Sequence, residues 1–285
     1  MKKLAILTDS TCDLTNEIIE QNDIHLLPLY VTFGDKTYLD RVEINTTELY
    51  KTVVETHTLP KTSAASPADF IKVFENLFEE YEEILYMGIS GSMSSTLNNA
   101  NQARMILDAE DKVFILDSKN LSTGIALSLL KACKYRDQGL SGSEVVERVS
   151  KIVPQVRSQF AIEKMDYLHK GGRCSGVAAI FGRILKIKPI IVVREGKMTV
   201  GKKPRGKMKV ALEGLLDYVR EDINVIDKDA IFITHTEALS ACEYLKEKLT
   251  ELVPDAKIYI TEAGCVISSH CGPGTIGILY IKNEE

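Results

Sequence analysis

Short apolar runs alternate with stretches of helical periodicity through the first half of the chain. The run Leu4–Leu7 ends in polar residues, and a helical segment is predicted from about Leu14 to Gln21. Two further apolar runs, Ile84–Ile89 and Val113–Leu116, lie on either side of a helical stretch from about Ser95 to Leu107. A strand, a helix and a second strand in this order are typical of a βαβ unit. The pattern therefore predicts a parallel sheet covered by helices.

The segment between these units has weaker periodicity. His25–Phe33 is rich in Leu, Tyr and Val and is predicted to be a strand interrupted at Pro28. From there to residue 80 we expect helices to dominate. Ser66 followed by Pro67 indicates the start of one helix, because serine caps helices and proline fits the first turn.

The pattern changes after a cluster of small residues at Gly139–Ser143 and a helix that ends near Val153. Lys188–Lys202 is predicted to form a β-hairpin with its turn at Glu195-Gly196. Three later apolar runs alternate with predicted helices near 206–222 and 237–251: Ala230–Thr234, Lys257–Thr261 and Ile276–Ile281. We therefore predict an α/β protein of two domains. Residues 1–153 form an N-terminal α/β/α domain with a parallel sheet, and residues 154–285 form a C-terminal α/β domain with a mixed sheet. One large domain is the alternative.

Composition narrows the class of protein. The 285 residues are 45% hydrophobic, which is ordinary for a chain with a buried core, and the formal net charge of −5 gives no general attraction to nucleic acid or to anionic membranes. The six cysteines are scattered without CxxC pairs, so we expect reduced, mostly buried thiols. The first apolar run is too short for a signal peptide, and no run reaches the roughly 20 residues that cross a bilayer. The expectation is a cytoplasmic protein without an integral membrane segment.

The sequence contains partial matches to several catalytic and cofactor motifs, but none has the neighbouring residues or elements that the motif requires. Gly272–Gly277 matches G-x-G-x-x-G, but an apolar strand follows where a dinucleotide site needs a helix, so a glycine turn is the better interpretation. No Gly-Lys pair precedes Ser or Thr, which excludes a P-loop, and the serines after Gly88 lack the G-x-S-x-G pattern of a nucleophile elbow. The five histidines form no H-x-x-x-H pair, and no metal site is predicted.

Hydroxyl side chains gather at three predicted strand ends. They are Thr8 to Ser10, Thr62-Ser63, and Ser90 through Thr96. Strand ends converge on the ligand crevice of an open α/β sheet, so these residues can form one hydroxyl-lined pocket; helix capping is the alternative for Ser94 and Ser95. His270 precedes the glycine turn, where a bend in the backbone can bring an imidazole into a cleft.

In order and spacing, these segments resemble the DegV family of fatty-acid-binding proteins over essentially the whole chain. The matching segments are Thr8-Asp9-Ser10 with Asp13-Leu14, Pro60–Ser63 with Ser66-Pro67, Ile89–Ala100, Asp117-Ser118 with Ser122 and Gly124, Leu168–Arg173, Lys188-Pro189, and His270–Gly274.

The resemblance implies a long-chain fatty acid as ligand, such as a C16 or C18 acid, and no other cofactor. Its tail would be buried and its carboxylate would lie between the domains, held by Thr62 and Ser94 near His270. Further neighbours of the ligand would be Ser63, Ser90, Ser118 and Gly124, although ordinary helix packing explains Gly124 equally well. This chain departs from the family pattern at Gly91 and Ser95, which leaves the contacts of Ser90, Ser92 and Ser95 open.

The resemblance also implies a partner. The family members of known role that this chain resembles are carriers, which present the bound acid to a separate fatty acid kinase. That kinase is related to dihydroxyacetone kinases and makes an acyl phosphate for phospholipid synthesis. Arg173, Lys202, Lys203 and Arg205 are candidate contacts to that kinase, and a solvated basic hairpin is the alternative.

Two other functions compete with a carrier that has no catalytic residues of its own. The first is a serine-dependent hydrolase or an acyl or phosphoryl transferase, with Ser94 as nucleophile and His270 as base. No acidic residue adjoins His270 in the sequence, which disfavours it. The second is a DNA-associated regulator, which the acidic composition and the lack of a helix-turn-helix pattern disfavour.

Overall fold

The computed structural model describes residues 2–180 and 187–283. The first half of the chain alternates short strands with helices, and two 3-10 turns at Ser10–Cys12 and Val153–Gln155 join longer elements. In chain order its elements are β1 (Lys2–Asp9), α1 (Asn16–Gln21), β2 (Ile24–Leu27), β3 (Tyr30–Phe33), β4 (Lys36–Leu39), α2 (Thr46–Thr56), β5 (Lys61–Ser63), α3 (Pro67–Phe78), β6 (Tyr81–Gly88), α4 (Thr96–Ile106), β7 (Val113–Asp117), α5 (Thr123–Asp137) and α6 (Gly142–Ile152).

Four of these strands form the predicted parallel sheet, in the order β2-β1-β6-β7. Both faces of β1 are buried: Leu4 and Ile6 pack into one apolar cluster, and Ala5 and Leu7 pack into another. Helices on both faces explain why its strands are continuous apolar runs rather than alternating ones. The α/β/α prediction is confirmed in this respect.

As predicted, helices make up most of the regular structure between residues 34 and 80, but the short strands β4 and β5 also lie there and were not predicted. The predicted single strand at 25–33 is two strands in two sheets, because β2 joins the parallel sheet and β3 leaves it after Pro28. β3 pairs antiparallel with β4 and with β5 in a separate sheet of three strands. These strands have three or four residues and are partly exposed, so they carry no long apolar run. Ser66 does cap α3, since its Oγ accepts from the amide of Asp69 at 3.2 Å.

The second half of the chain builds a mixed sheet of seven strands in the order β13-β12-β14-β8-β10-β11-β9. Its elements are β8 (Val156–Ala161), α7 (Met165–Gly171), β9 (Cys174–Ser175), α8 (Val177–Ile180), β10 (Ile190–Arg194), β11 (Lys197–Val200), α9 (Met208–Glu221), β12 (Ile226–His235), α10 (Leu239–Leu252), β13 (Ile258–Glu262), α11 (Cys265–Cys271) and β14 (Ile276–Lys282).

This sheet confirms the mixed-sheet prediction and the hairpin. β10 and β11 pair antiparallel around Glu195-Gly196, while β12 and β13 are parallel. The strands of the first two sheets all precede residue 118, and those of the mixed sheet all follow residue 155. The domain boundary at residues 153 and 154 stays a prediction.

Apolar packing continues from the first half of the chain into the second. One buried cluster contains Ile125 of α5, Phe160 of β8 and Ile267 of α11, together with the inner face of the parallel sheet. The short helix α11 was not predicted. It lies in this contact region. It packs against α2 from the first half of the chain and against α7 from the second half.

Candidate functional site

A cavity of about 640 Å³ opens where the two halves of the chain meet, and we call it the outer cavity. Its wall includes Thr62 and Ser63 of β5, the loop that follows β6, and His270 of α11. Arg173 and Met198 line it from the C-terminal half. The volume is within the range of small-molecule sites in proteins. The structure thus brings together Thr62, Ser94 and His270, the three residues that the family resemblance places near a carboxylate.

The serine-rich loop after β6 is held by backbone hydrogen bonds. Ser90 donates its amide to the carbonyl of Asn120 at 2.9 Å, and the amide of Ser94 donates to the carbonyl of Ser90 at 3.1 Å. Ser94 is half-buried on the cavity wall, and its Oγ accepts from the amide of Thr96 at 3.3 Å. The sequence left open whether Ser94 caps a helix or lines a pocket. In the structure it does both, because it caps the start of α4 and lies on the cavity wall.

Thr62 and His270 form a direct pair across the cavity wall. Thr62 Oγ1 and His270 Nε2 are 2.8 Å apart, although 208 residues separate them in sequence. The other ring nitrogen, Nδ1, is buried and has no hydrogen-bond partner in the described parts of the chain. The space beside Nδ1 is occupied by Gly171, where an added Cβ would lie 2.5 Å from this nitrogen. His270 is thus fixed by packing on one side and by Thr62 on the other.

The protonation of His270 follows from its surroundings. Burial lowers its pKa to about 4, and the positive charge of Arg173 acts in the same direction. The imidazole is therefore neutral at neutral pH, with one donor and one acceptor nitrogen. Arg173 is exposed at the cavity wall and donates from Nη1 to the carbonyl of Gly171 at 2.8 Å. A positive charge therefore lies at the side of the cavity where the hydroxyls and the imidazole converge.

A second, much smaller void continues inward from the outer cavity, and we call it the inner cavity. Its volume is about 20 Å³, and the two share Leu121, Ile267 and Cys271. Threonines line it, but their hydroxyls are used elsewhere: Thr275 donates to the carbonyl of Cys271 at 2.8 Å and Thr236 donates to the carbonyl of Gly272. A wall whose hydroxyls are satisfied by the backbone offers methyl groups to a ligand. The inner cavity is thus apolar.

Two buried carboxyl groups fasten the start of α11. Asp13 accepts from the amide of Gly264 at 2.8 Å, and Asp40 accepts from the amide of Cys265 at 2.7 Å. Burial raises the pKa of Asp13 to about 8. Thr8 to Ser10, which the pattern of strand ends predicts on the pocket wall, do not line the outer cavity. The sequence does offer a sign of this supporting role, because the acidic residues Asp9 and Asp13 closely follow the apolar run Leu4–Leu7.

Asp9 positions the other wall. Its carboxylate accepts from the amide of Ile89 at 3.0 Å and from the hydroxyl of Tyr86 at 2.9 Å, and it is fully buried. Because Ile89 begins the serine-rich loop, the acidic motif at the end of β1 supports the site from behind rather than facing a ligand.

The remaining predicted neighbours divide into two groups. Ser63 lines the outer cavity, whereas Ser90, Ser118 and Gly124 do not. Ser90 Oγ donates to the carbonyl of Gly196 at 2.9 Å, and Ser118 Oγ donates to the carbonyl of Gly88 at 2.6 Å. Both serines connect loops behind the wall.

Gly124 is explained by close packing. A Cβ at this position would lie 2.2 Å from Asn120 Oδ1 and 2.5 Å from Ser158 Oγ. We therefore expect Gly124→Ala to lower the free energy of unfolding by about 1–3 kcal/mol, as overpacking does in other cores. Urea unfolding checks this, with Ser240→Ala as a comparison at an exposed position of α10, where we expect a change within about 0.5 kcal/mol. An unchanged midpoint for Gly124→Ala would contradict the packing argument.

The predicted basic contacts differ in whether they already form ion pairs within the chain. Lys202 is paired with Glu221 at 3.1 Å and Asp217 at 3.6 Å, and it lies over the ring of Tyr218. Lys203 and Arg205 are exposed, and no carboxylate of a described residue lies within 4 Å of either. Internal contacts therefore account for Lys202 but leave Lys203 and Arg205 accessible.

His270 gives a testable pH dependence. Its pKa is about 4 in the folded chain against an ordinary value of 6.5, so the unfolded chain takes up a proton first as the pH falls. The stabilisation that neutral His270 provides is complete above about pH 6.5 and is lost as the pH falls toward 4. We expect His270→Gln to flatten the unfolding free energy over this window relative to the unsubstituted protein. Parallel curves for the two proteins in chemical denaturation would contradict the assignment.

The fold and the site define a class: an α/β protein that encloses a cavity with a polar outer end and an apolar inner end. A family model described as "Uncharacterised protein, DegV family" matches residues 3–283. The chain belongs to the DegV family.

Individual relatives are similar over their whole length. A DegV domain-containing protein of Clostridium acetobutylicum is 35% identical over 282 residues, which is 99% of each chain. Among solved structures, a fatty-acid-binding DegV family protein of Thermus thermophilus has a TM-score of 0.92 at 29% identity, covering 98% of this chain and 99% of that one. A stearic-acid-binding protein of Eubacterium ventriosum has a TM-score of 0.87 at 26% identity, covering 98% of both. Both of these proteins of the same fold bind fatty acid. In the described part of this chain, none of the helices has the length and apolar character needed to span a bilayer.

Proposed function

We propose that this chain binds one long-chain fatty acid, such as a C16 or C18 acid, and presents its carboxyl group to a separate fatty acid kinase. The observation that carries the proposal is the meeting of Thr62, Ser94 and His270 at one cavity that leads to an apolar interior. The fatty-acid-binding relatives of the same fold support it.

The polar end suits a carboxylate. Ser94 and Thr62 have hydroxyls that can donate to its oxygens, and Arg173 supplies a positive charge at the same wall. When His270 carries its proton on Nε2, it donates to Thr62 Oγ1, and the Thr62 hydroxyl hydrogen is free to point at the ligand. Hydrogen bonds to a charged group contribute about 1.5–3 kcal/mol each, so these contacts fix the position of the headgroup.

The tail supplies most of the affinity. Burial of a C16 chain at about 0.8 kcal/mol per methylene amounts to roughly 12 kcal/mol before the cost of ordering the chain. In our proposal the tail passes between Leu121, Ile267 and Cys271, the residues shared by the two cavities. The inner cavity would hold the methyl end, because its volume exceeds the roughly 10–15 Å³ needed for a group the size of water.

The geometry disfavours the alternative of a serine-dependent enzyme. His270 Nε2 contacts Thr62 rather than Ser94, and the Ser94 hydroxyl is 2.7 Å from that of Thr96. A nucleophile needs a base within hydrogen-bond reach and a third group that orients the base. No described carboxylate accepts from Nδ1 of His270, so that third group is missing.

The kinase would approach the polar end of the outer cavity. Arg173 at the cavity wall and the exposed Lys203 and Arg205 are its proposed contacts, while Lys202 is already neutralised by Glu221 and Asp217. An acidic chain with these uncompensated cations suits a partner with an acidic or phosphate-bearing face.

A reconstitution assay tests the division of labour. We expect the chain alone to hydrolyse neither an acyl ester nor an acyl phosphate, and to yield acyl phosphate from its bound acid when a fatty acid kinase of the dihydroxyacetone-kinase-related type and ATP are added. Sustained turnover by the chain alone that disappears in Ser94→Ala would contradict the carrier proposal. Failure of the kinase to act on the loaded chain, while it acts on another loaded carrier, would contradict the partnership alone.

A further inference from the structure

A third cavity, of about 750 Å³, lies apart from the site described above. Pairing of β8 with β10 covers only Gln159 to Ala161, while the first three residues of β8 pair with β14 alone. The two strands therefore separate toward Val193 and Arg194, and the cavity opens between them. We call it the β8–β10 cavity. It shares no lining residue with the outer cavity.

The floor of the β8–β10 cavity is made of buried polar side chains. Asn120, Ser158 and Gln159 line it with 3%, 2% and 3% of their surface exposed. Asn120 Oδ1 accepts from Ser158 Oγ at 2.7 Å and from the amide of Leu121 at 3.2 Å, which fixes the orientation of the amide. Its Nδ2 has no acceptor in the described parts of the chain. Two N–H donors of Asn120, on the wall of the cavity, thus remain available to a ligand.

The rim adds positive charge. Lys119 and Arg194 line the cavity, and neither has a carboxylate of a described residue within 4 Å. Two of the acidic residues on the rim are already committed: Asp222 pairs with Lys282 at 2.9 Å, and Glu221 pairs with Lys202 at 3.1 Å. Among the charged residues that are not already in ion pairs, the cavity therefore has two cations, Lys119 and Arg194, and one carboxylate, that of Glu195.

The lining also includes apolar side chains. Val153, Val156 and Val193 line the same space. A group rich in acceptors and negative charge suits the amide, the lysine and the arginine, and a short apolar group suits the valines. We propose that the β8–β10 cavity is a second binding site, for a small organic anion that carries an apolar group, either a carboxylate or a phosphate monoester.

This second site lies directly behind the serine-rich loop. The carbonyl of Asn120 accepts the amide of Ser90, and the Ser90 hydroxyl donates to the carbonyl of Gly196 beside Glu195. An anion held by Asn120 and Arg194 would therefore touch the same two segments that hold Ser90 in place. The site itself does not depend on fatty acid binding, because its residues are separate.

Titration calorimetry and amide chemical shifts test the proposal on the full chain. The probes are butyrate for the carboxylate class and butyl phosphate for the phosphate class, each at up to millimolar concentrations. We expect saturable binding of at least one probe, with shifts concentrated at residues 119–120, 156–159 and 192–195. The two arms distinguish which anion class the site takes.

The decisive variant removes the uncommitted cations. Lys119→Gln with Arg194→Gln should weaken the probe by about tenfold or more, because each loses a charged hydrogen-bond donor. The charge-matched control, Lys203→Gln with Arg205→Gln, should bind within about twofold of the unsubstituted protein. Thr62→Ala with Ser94→Ala should also keep the probe, which separates this site from the fatty acid site. Absence of saturable binding by both probes, or equal loss in the charge-matched control, would overturn the proposal.

Discussion

Replacing Thr62 and Ser94 together by alanine is expected to weaken fatty acid binding by at least about 100-fold, since two hydrogen bonds to a charged group are lost at about 1.5–3 kcal/mol each. The fold should survive. Ser94 Oγ gives the start of α4 one long hydrogen bond of 3.3 Å, and Thr62 lies on a short, partly exposed strand. The measurement is displacement of a fluorescent fatty acid, with thermal unfolding of the same samples.

A matched control removes one threonine and one serine hydroxyl elsewhere. Thr37 on β4 and Ser143 on α6 are exposed and do not line the outer cavity, so Thr37→Ala with Ser143→Ala should bind fatty acid as the unsubstituted protein does. Undiminished affinity in the Thr62 and Ser94 double variant would show that the headgroup lies elsewhere.

Chain length should change affinity even more strongly. At about 0.8 kcal/mol per buried methylene, each added carbon improves binding about fourfold, so palmitate should bind roughly three to four orders of magnitude more tightly than decanoate. The improvement should stop once the methyl end reaches the inner cavity. Competition with saturated acids of increasing length, kept below the concentrations at which they form micelles, measures the slope.

Ala263 offers a variant for the inner end. It is buried and lines the inner cavity of about 20 Å³, so Ala263→Val should fill much of that space. We expect the longest acids to lose affinity while short acids keep theirs, and the short acids are the internal control. A slope near zero across the series, or equal loss at every length, would contradict a tail that enters between Leu121 and Ile267.

The sequence predicts well those features that have a long local pattern. The continuous apolar runs of β6 and β7 on either side of α4 revealed the parallel sheet, because strands covered on both faces have apolar side chains throughout. The glycine at the tip of the β10–β11 hairpin revealed that turn, since Gly196 has a positive φ of 79°. Helix starts such as Ser66 could be predicted because a capping serine accepts a hydrogen bond from an amide only three residues later in the sequence.

Features that depend on distant contacts were missed. α11 has seven residues with serine and histidine among the apolar ones, and its first amides are held by Asp13 and Asp40, more than 220 residues earlier. No local pattern records such a contact. The strands β4 and β5 were missed for a similar reason, because each is short and stabilised only by pairing with β3.

The candidate site was predictable in part. Thr62, Ser94 and His270 came from a resemblance in sequence, and the structure places all three on one cavity, although their roles with a ligand stay a proposal. The same resemblance could not show that the acidic residues after β1 support the loops instead of facing the cavity. Burial decides that question, since Asp9 and Asp13 are 0% and 1% exposed.

Mass spectrometry of the purified protein tests whether the chain carries a fatty acid. Native spectra give the mass of the intact complex, and lipid analysis after denaturation identifies what is released. We expect one fatty acid per chain, either from the expression host or after addition of palmitate to stripped protein. A chain that is empty as purified and takes up no fatty acid of any length tested would contradict it.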